Sequence, residues 1–388
     1  MRDFEAKRIK LAGGSPTVSL NVKGIAMKEQ GVDLLSFAAG EPDFDTPEAV
    51  KEAGIQAIRD NMTHYTSAAG LLSLRRRIAR KLREENGIEA DENWIVVTPG
   101  AKVALYQALM AFLEPGDECM VLTPAYPSYR SIILMAGAEF VPVPLQIENG
   151  FRVTPDMLEA KVTARTKMLI VCSPCNPTGH VLSLEEIRAV TAFAEAHEIL
   201  VIADEIYEKL IYDGRTHYSL GAIPSIRDRF ITLNGLSKSA AMTGWRIGYS
   251  AACPALTNVM NKLQTNIVNC TAAFTQQAAI TAFDCTDETE AMRKIYLERR
   301  DLICDGLNAI PGVVCPRPEG AFYAFFKVDY QGMDDRQLAD FILEKASILL
   351  VPGSGFGEGG ENCLRMSFAA DTASLQLALE RLTALLQE

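Results

Sequence analysis

The sequence predicts an α/β protein with a mostly parallel sheet in a large domain and a smaller α+β domain. The chain has 388 residues, and chains of that length usually divide into two domains. In its first two thirds, short apolar runs alternate with amphipathic helical patterns, as they do in parallel sheets covered by helices on both faces. In its last third, longer helical patterns and isolated strands replace that alternation.

The large domain is expected to contain five apolar strands. They are predicted at residues 94–97, 119–122, 167–171, 200–203 and 230–233. Helical patterns begin at Ala101 and cover residues 127–138 and 184–197. Because ligands of such sheets bind beyond the carboxyl ends of the strands, the residues that follow each strand are the candidates for a functional site.

The C-terminal third is expected to form the smaller domain, together with the N-terminal arm and a helix near residues 18–30. Helical patterns cover residues 254–308 and 336–346 and resume from Ala373. Strands are predicted at 322–328, 349–351 and 364–368. The predicted boundaries place the arm and part of the small domain in residues 1–46, the large domain in 47–285 and the remainder of the small domain in 286–388.

Composition narrows the classes of function. The net charge of −11 argues against nucleic acid or an anionic membrane as the main partner. The nine cysteines are odd in number and have no regular spacing, which fits reduced thiols. The charged start Met1-Arg2-Asp3-Phe4 differs from a signal peptide, and no apolar run is long enough for a membrane span, so a cytoplasmic location is expected. The four histidines share no metal-ligand spacing, and no metal is expected.

Polar residues of the kinds that bind ligands or catalyse reactions follow the predicted strands. Taken singly, each has an ordinary explanation, since an aspartate after a strand often caps a helix and a loop lysine is usually solvated. Together they supply an anion cradle at a helix start, an amide, a carboxylate, a phenol, an amine and two guanidinium groups. These are the groups that an organophosphate with a heteroaromatic ring and an aldehyde requires. The segments are 98–102, 172–179, 204–208, 234–238, 243–246 and 364–367.

One of these segments resembles a known family. Residues 234–249, NGLSKSAAMTGWRIGY, are similar to the lysine segment that carries pyridoxal 5′-phosphate (PLP) in class I aminotransferases of fold type I. Five further motifs resemble that family, in its order and spacing, from Ser15 to the C-terminus: AGEPDFDTP (39–47), NPTG (176–179), DEIYE (204–208), GAFY (320–323) and VPGSGFG (351–357). The resemblance is closest to the bacterial aspartate aminotransferase-like subgroup. It implies the PLP-dependent transferase fold type I and an aminotransferase that works by a ping-pong mechanism.

The resemblance implies three catalytic residues. Lys238 carries the cofactor and, once freed by the substrate, moves the proton of the substrate's α-carbon. Asp204 keeps the pyridine nitrogen of PLP protonated, so that the ring accepts electrons. Tyr207 hydrogen-bonds the 3-oxygen of the ring, as does Asn176, and Tyr126 lies against the ring face.

The resemblance also implies the phosphate and substrate contacts. Backbone donors at the helix start and the fork of Arg246 hold the phosphate, and Tyr65 reaches the phosphate of the neighbouring subunit, which implies a homodimer with shared sites. Arg365 clamps the α-carboxylate of the substrate, and Gly40 lies in the loop that closes over it. Asn176 and Lys102 are further substrate contacts. The helix-start donors are Gly100, Ala101 and Lys102.

The sequence departs from the family at two positions. Many relatives carry Ser or Thr three residues before the lysine, where this chain has Gly235, so that phosphate contact is missing or comes from Ser237. Many relatives have Asn-Asn-Pro, where this chain has Cys175. The resulting Cys172-x-x-Cys175 pair could indicate redox or zinc chemistry, but no second pair accompanies it.

The substrate is open at this stage. A lysine at the position of Lys102 meets the side-chain carboxylate in dicarboxylate-specific members of the subgroup, which favours aspartate with 2-oxoglutarate, or prephenate. Residues 264–272, QTNIVNCTA, look more like aromatic aminotransferases, and alanine is a further candidate. A PLP-dependent β-lyase on the same fold is the main alternative reaction. A non-catalytic PLP-binding regulator is disfavoured, because Lys238, Asp204 and Arg365 are all present.

Overall fold

A computed structural model of the chain describes residues 3–14 and 16–387. Met1 and Arg2, used above in the argument about a signal peptide, and Ser15, where the family resemblance begins, lie outside the described residues, as does Glu388. The described strands, in chain order, are β1 (Leu35–Ser36), β2 (Ile95–Thr98), β3 (Glu118–Thr123), β4 (Glu139–Pro144), β5 (Thr166–Cys172), β6 (Leu200–Asp204), β7 (Phe230–Gly235), β8 (Gly248–Ala252), β9 (Val313–Val314), β10 (Tyr323–Val328), β11 (Ile348–Leu349), β12 (Val351–Pro352) and β13 (Cys363–Ser367).

The helices lie before β1, between the strands and after β13. Those in the described residues are α1 (Lys7–Ala12), α2 (Pro16–Glu29), α3 (Glu48–Arg59), α4 (Leu72–Asn86), α5 (Ala101–Phe112), α6 (Ser128–Met135), α7 (Pro155–Glu159), α8 (Leu184–Ala196), α9 (Pro254–Ile267), α10 (Ala273–Ala282), α11 (Thr286–Asn308), α12 (Asp335–Ala346) and α13 (Thr372–Leu386). Ser183 and Glu186 form a capping box at the start of α8, which satisfies N–H groups that a helix start leaves free.

The large sheet is mostly parallel, as predicted. Its strand order is β2-β8-β7-β6-β5-β3-β4. Neighbouring strands from β7 to β4 pair in parallel, and β8 is antiparallel to both β2 and β7. The predicted α/β fold class is therefore confirmed.

Side chains of the central strands alternate between two apolar layers. In β5, Met168 and Ile170 pack with residues of α5 and α6 on one face, whereas Leu169 and Val171 pack with residues of α4 and α8 on the other. This follows from the period of two in a strand, and burying each such side chain contributes about 1.5–3 kcal/mol relative to leaving it exposed. Both faces of the sheet are thus apolar, which leaves its edge for polar chemistry.

A second, antiparallel sheet lies in the C-terminal part, in the order β12-β13-β10-β9. Its side chains pack with those of α11, α12 and α13, represented by Tyr296, Ile342 and Leu379. Near the N-terminus, β1 pairs in parallel with β11, so the early chain joins the C-terminal part. The domain boundaries at 46/47 and 285/286 stay a prediction.

Several predicted elements need correction. The strands β4 and β8 were not predicted, because β4 contains two prolines and occupies a sheet edge, and β8 consists mainly of small residues. The helical pattern at 254–308 is three helices, since Asn269 adopts a left-handed φ of 73° after α9 and residues 283–285 separate α10 from α11. The strand predicted at 349–351 is two short strands, β11 and β12. None of the described helices is both long enough and apolar enough to cross a lipid bilayer.

Candidate active site

The carboxyl ends of four strands meet at one edge of the large sheet. Cys172 at the end of β5 is level with Asp204 at the end of β6, and Gly248 is level with both Thr98 and Gly235 at the ends of β2 and β7. A cavity of about 390 Å³ opens at this edge. The predicted site residues that line it are Gly40, Ala101, Lys102, Tyr126, Asn176, Asp204, Tyr207, Ser237, Lys238, Arg246 and Arg365.

Two predicted residues do not line this cavity. Gly100 lies directly beside it as the residue that precedes α5. Tyr65 lies apart from it, with 84% of its surface exposed, so within a single chain it is not a site residue. Its proposed place in a partner's site stays a prediction.

The start of α5 forms a cradle at the cavity wall. Gly100 has a φ of 88°, and a Cβ there would overlap the Nη2 atom of Arg246. A Cβ on Gly248 would overlap the backbone of Ala101, so this glycine lets the helix start rest on the sheet. Because the first N–H groups of a helix have no partner within it, this arrangement suits an anion.

Arg246 is held at this cradle by its backbone and by its side chain. Its φ of 54° is left-handed, which is uncommon for a residue other than glycine and often marks a functional position. The guanidinium donates to the carbonyl oxygens of Thr243 at 2.8 Å and Pro99 at 3.4 Å. A second positive group therefore faces the same place as the α5 start.

Asp204 is a buried carboxylate at the cavity floor. Its Oδ2 accepts a hydrogen bond from the hydroxyl of Tyr129 at 2.7 Å, and its Oδ1 accepts from the N–H of Ile206 at 3.3 Å. Burial raises the pKa of Asp204, although both hydrogen bonds oppose that shift. A cationic group in the cavity would favour the ionised carboxylate, which is the role expected of a protonated ring nitrogen.

Lys238 is a half-buried amine that lines the same cavity. Its Nζ donates to the carbonyl oxygen of Gly40 and lies 5.9 Å from the ring centroid of Tyr207. The pKa of Lys238 is lowered to about 8, mainly by burial and also by the nearby charges of Arg365 and Arg246, whereas Glu41 opposes this shift. Since an exposed lysine titrates near 10.4, Lys238 has a much larger neutral, nucleophilic fraction near pH 7.

Arg365, on β13, is a buried cation without a counter-ion in the described part of the chain. Its Nη1 donates to Oδ1 of Asn176 at 3.0 Å and its Nη2 to the carbonyl oxygen of Ala38 at 2.6 Å, and both acceptors are neutral. Its Nε is buried without a partner. The guanidinium stacks 4.4 Å from the ring centroid of Tyr323, whose hydroxyl is 2.8 Å from that of Tyr207. A bound carboxylate would supply the missing charge.

The structure explains the departure at Gly235. A Cβ there would lie 2.9 Å from the carbonyl oxygen of Ile247 and 3.0 Å from the Cα of Gly248. Because those atoms belong to the paired backbone, a serine would force β7 and β8 apart. Ser237, which lines the cavity, is the hydroxyl available instead.

Lys102 and Gly40 lie at the cavity mouth. The Lys102 side chain is exposed, and its Nζ lies 5.4 Å from the ring centroid of Tyr126, which is a cation–π distance. A Cβ on Gly40 would lie 2.6 Å from the hydroxyl of Tyr323, so this position requires glycine. Lys102 is therefore free to meet a ligand, and the backbone of Gly40 closes tightly on the site.

Ten residues that line the cavity were missed by the sequence-based prediction. Five have polar or thiol side chains, namely Glu41, Tyr129, Cys172, Thr243 and Tyr323, and the other five are apolar. Glu41 and Tyr323 belong to motifs already singled out, AGEPDFDTP and GAFY, so a signal existed for both. Tyr129 lies inside a predicted helix and belongs to no motif. Its contact with Asp204 depends on the packing of α6 against the sheet, which the sequence does not display.

Both cysteines of the Cys172-x-x-Cys175 pair are free thiols, and Cys172 lines the cavity. The Sγ of Cys172 contacts the carbonyl oxygen of Pro174 at 3.3 Å, and that of Cys175 contacts Pro124 at 3.7 Å. Their mutual hydrogen bond and burial raise the pKa of Cys172, and the same bond lowers the pKa of Cys175. Among the described residues, neither thiol belongs to a cluster of three or more potential metal ligands.

These residues fit PLP, the cofactor that the resemblance implies. The α5 cradle with Arg246 suits its phosphate, the buried Asp204 suits its protonated ring nitrogen, and the Lys238 amine of lowered pKa suits its aldehyde. Tyr207 and Asn176 line the same cavity and supply a phenol and an amide. The charges of the cavity are thus complementary to those of the cofactor.

Comparisons with known proteins agree with this fit. The family model described as aminotransferase class I and II matches residues 32–382. An aspartate aminotransferase of Pyrococcus abyssi is 41% identical over 362 residues, with 92% of each chain covered. Aromatic-amino-acid aminotransferase 2 of Thermococcus litoralis is 37% identical, covering 92% of this chain and 93% of the other. The solved structure of the Thermus thermophilus aspartate aminotransferase with maleate is 37% identical, with a TM-score of 0.95 and full coverage of both chains.

Proposed function

This chain belongs to the aminotransferase class I and II family, and from that premise we propose that it transfers the amino group of aspartate to 2-oxoglutarate by a ping-pong mechanism. Members of the family depend on PLP, and the chain is accordingly a PLP-dependent aminotransferase. The choice of aspartate and the roles of individual residues are the proposed part.

PLP supplies an aldehyde that takes up the amino group and a ring that accepts the electron pair left on the substrate's α-carbon. We assign covalent attachment to Lys238, whose freed Nζ then takes the α-proton and returns it in the next step. Asp204 would keep the ring nitrogen charged, with Tyr129 orienting its carboxylate. Tyr207 and Asn176 would hydrogen-bond the ring oxygen, Tyr126 would lie against the ring face, and the α5 start with Arg246 and Ser237 would hold the phosphate.

The unpaired guanidinium of Arg365 is the main observation in favour of a substrate that has a carboxylate. Its fork is fixed by Asn176 and Ala38, its Nε is buried without a partner, and it lines the same cavity as Lys238. An unpaired buried charge is costly, and a carboxylate that binds the fork in a bidentate manner removes that cost. We therefore assign the α-carboxylate of the substrate to Arg365, under the loop of Gly40.

Lys102 is proposed to select a second carboxylate. Its ammonium is an exposed cation of the cavity, above Tyr126, and can meet the distal carboxylate of aspartate or 2-oxoglutarate. Replacing Lys102 with alanine should lower kcat/KM for aspartate and glutamate about 10–100-fold relative to alanine and phenylalanine, or roughly 1.4–2.8 kcal/mol. The measurement is kcat/KM for the four amino acids with a fixed acceptor.

Lys262→Ala is the matched control for this prediction, because Lys262 is an exposed helix lysine that does not line the cavity described above. It should leave all four values unchanged, and cofactor content should stay the same in both variants. Equal losses for acidic and neutral substrates in Lys102→Ala would show that Lys102 supports the cofactor only, and the proposed preference for aspartate would lose its main support.

Aromatic amino acids are the second candidate substrates. The ring of Tyr126 and the neighbouring Tyr129 line the cavity beside Leu105, which gives an apolar surface below Lys102. A lysine that rests on a tyrosine ring can swing aside for a neutral aromatic side chain. The relative named as an aromatic-amino-acid aminotransferase supports this candidate, and the comparison of aspartate with phenylalanine decides between the two.

We propose a homodimer in which Tyr65 completes the partner's site. Tyr65 is a large, exposed side chain, and Arg246 faces both the active-site cavity and a second cleft lined by Phe44, Trp245 and Phe274. That cleft gives a residue of another subunit access to the phosphate cradle. Each active site of the proposed homodimer would then contain Tyr65 from the partner subunit.

Hybrid dimers test the shared site. One subunit carries Tyr65→Ala and retains Lys238 and Arg246, and the other carries Lys238→Ala and retains Tyr65. Each protein alone should be nearly inactive. Mixing them should restore part of the activity, because one site of each hybrid dimer combines Lys238 and Arg246 of one subunit with Tyr65 of its partner.

In that pair, recovery of up to about a quarter of the wild-type site activity is expected from random mixing, because half of the dimers are hybrids and each has one complete site of two. No recovery, with exchange of subunits confirmed by mass, would count against a shared site. The result is read from kcat per total site.

A cytoplasmic location is proposed from the cysteines. All nine are free thiols in the structure, and the sulfur atoms of Cys315 and Cys304 lie 3.8 Å apart, well beyond a disulfide bond of about 2.05 Å. So many free cysteines in one chain are typical of proteins from a reducing compartment.

A further inference from the structure

His180 directly follows the NPTG motif and is buried between two carboxylates. Its Nε2 lies 2.9 Å from Oε1 of Glu186, and its Nδ1 lies 3.2 Å from Oε2 of Glu319. Only 7% of its surface is exposed. Because a neutral imidazole has a single N–H, only the protonated ring donates a hydrogen bond to both carboxylates.

The two glutamates belong to different parts of the fold. Glu186 lies in the first turn of α8, where its Oε2 accepts from the N–H of Ser183 at 2.9 Å and its Oε1 from that of Val153 at 3.0 Å. Glu319 precedes the GAFY motif, and its Oε2 accepts from the N–H of Val181 at 3.0 Å. Protonated His180 therefore joins the large-domain sheet to the segment that leads into β10.

The same turn carries Asn176. The N–H of Cys175 donates to the carbonyl oxygen of His180, and the N–H of Gly179 donates to that of Cys175, both at 2.9 Å. The backbone of Glu319 and Gly320 is attached to the turn as well, since both N–H groups donate to the carbonyl oxygen of Gly179 at 2.9 and 2.8 Å. Asn176 thus lies inside a closed turn whose position is fixed by His180.

The segment that follows Glu319 reaches the other side of Arg365. Tyr323 provides the ring on which the guanidinium stacks, and Asn176 accepts from its Nη1. Both neighbours of Arg365 therefore depend on the contact between the 175–180 turn and the 319–323 segment. A shift of that contact would change the direction of the guanidinium fork.

We propose that protonated His180 is a positioning residue that fixes Asn176 and Tyr323 around Arg365 and thereby sets the affinity of the site for a substrate carboxylate. This inference rests on the assignment of Arg365 to the substrate carboxylate made above. It makes carboxylate binding depend on the protonation of a group that does not touch the substrate.

The charges around His180 keep it protonated over the neutral range. Burial opposes the charge, but hydrogen bonds and attraction from Glu186 and Glu319 prevail and raise the pKa of His180 to about 9. The other charged or titratable groups that face this cluster are Arg215, which pairs with Glu319 at 2.6 Å, and Cys175, whose pKa His180 helps to lower. The bridge should therefore persist below pH 9 and weaken as the pH rises through that value.

The test is the dissociation constant of maleate, a dicarboxylic acid without an amine, for the PLP-loaded protein between pH 6.5 and 10. His180→Asn should weaken maleate binding about tenfold at pH 7, within the range by which residues remote from a ligand modulate binding. In the wild type, affinity should fall as the pH rises through about 9, and His180→Asn should remove that step. Titration of Lys238 affects both proteins alike, so the difference between their profiles isolates His180.

Two further variants serve as controls. His197→Asn removes a partly exposed histidine that pairs with Glu159 at 3.0 Å and should change neither affinity nor its profile. Glu319→Gln keeps a hydrogen-bond acceptor for His180 and removes the negative charge, so it should weaken maleate binding less than His180→Asn does. It should retain the fold, and it therefore tests the proposal even if His180→Asn proves unstable.

Thermal unfolding of the cofactor-free protein provides a readout without turnover. Because the folded-state pKa of His180 is raised above the ordinary 6.5, its contribution is fully present below about pH 6.5 and is lost as the pH rises through 9. The stability difference between wild type and His180→Asn should shrink over that interval. Unchanged maleate affinity and profile in folded His180→Asn and Glu319→Gln would overturn the positioning role. If the wild type itself bound no maleate, the assignment of Arg365 would fail first.

Discussion

Replacing Lys238 with alanine should lower kcat/KM for aspartate by at least about 10²–10⁴-fold, the contribution typical of a positioned proton-transfer group. Lys238 is half-buried in the cavity, where its Nζ donates to the carbonyl oxygen of Gly40 and has a pKa lowered to about 8. Of the two described lysines that line the cavity, Lys102 is exposed and Lys238 is half-buried. The variant should keep PLP bound through the phosphate cradle, without a covalent link.

The covalent link is measured by borohydride reduction followed by peptide mapping. In the wild type the trapped cofactor should be found on the peptide that contains Lys238, and the alanine variant should lose it. Lys294→Ala is the control, because Lys294 is an exposed lysine on α11 and should leave trapping and activity unchanged. Cofactor trapped at another lysine in the wild type would contradict the assignment.

Replacing Asp204 with asparagine is the second large expected effect. We expect kcat for the half-reaction with glutamate to fall about 10²–10³-fold, the loss typical of removing one preorganised electrostatic partner. The amide of an asparagine has the same shape, so its oxygen can accept from the N–H of Ile206 while its NH2 group donates to the hydroxyl of Tyr129. It cannot hold a ring nitrogen in its charged form. The fold should persist, because burial opposes the charge of Asp204 in the free protein.

Stopped-flow half-reactions measure this effect, and two comparisons sharpen it. Tyr129→Phe removes the donor that orients Asp204 and should cause a smaller loss in the same step. Asp228→Asn alters an exposed carboxylate and should cause none. Rates for Asp204→Asn within about tenfold of the wild type, or 1.4 kcal/mol, would show that Asp204 does not have the proposed role.

Much of the fold was predictable because it depends on local patterns. The continuous apolar runs before Asp204 and Lys238 identified β6 and β7, since only strands buried on both faces tolerate such composition. The antiparallel strand β8 was missed because its residues are selected for small size at the contact with α5, as Gly248 shows. The edge strand β4 was missed because its prolines are tolerated only where a strand lacks a second neighbour.

The site was predictable to the extent that motifs mark it. Residues such as Asn176, Asp204 and Lys238 follow strands and belong to recurrent segments, so their meeting at one sheet edge followed from the fold class. Tyr129 and His180 were different, because their meaning depends on partners brought close only by packing. His180 acquires its role from Glu319, which is distant along the chain and lies on the other part of the fold.

The amino-donor profile of the purified protein with 2-oxoglutarate tests the central proposal most directly. Aspartate should give the highest kcat/KM among aspartate, phenylalanine, tyrosine and alanine, with oxaloacetate and glutamate formed in equal amounts and no ammonia released. A higher value for phenylalanine or tyrosine than for aspartate would contradict the proposed substrate. Release of ammonia and pyruvate without an acceptor would identify a lyase instead.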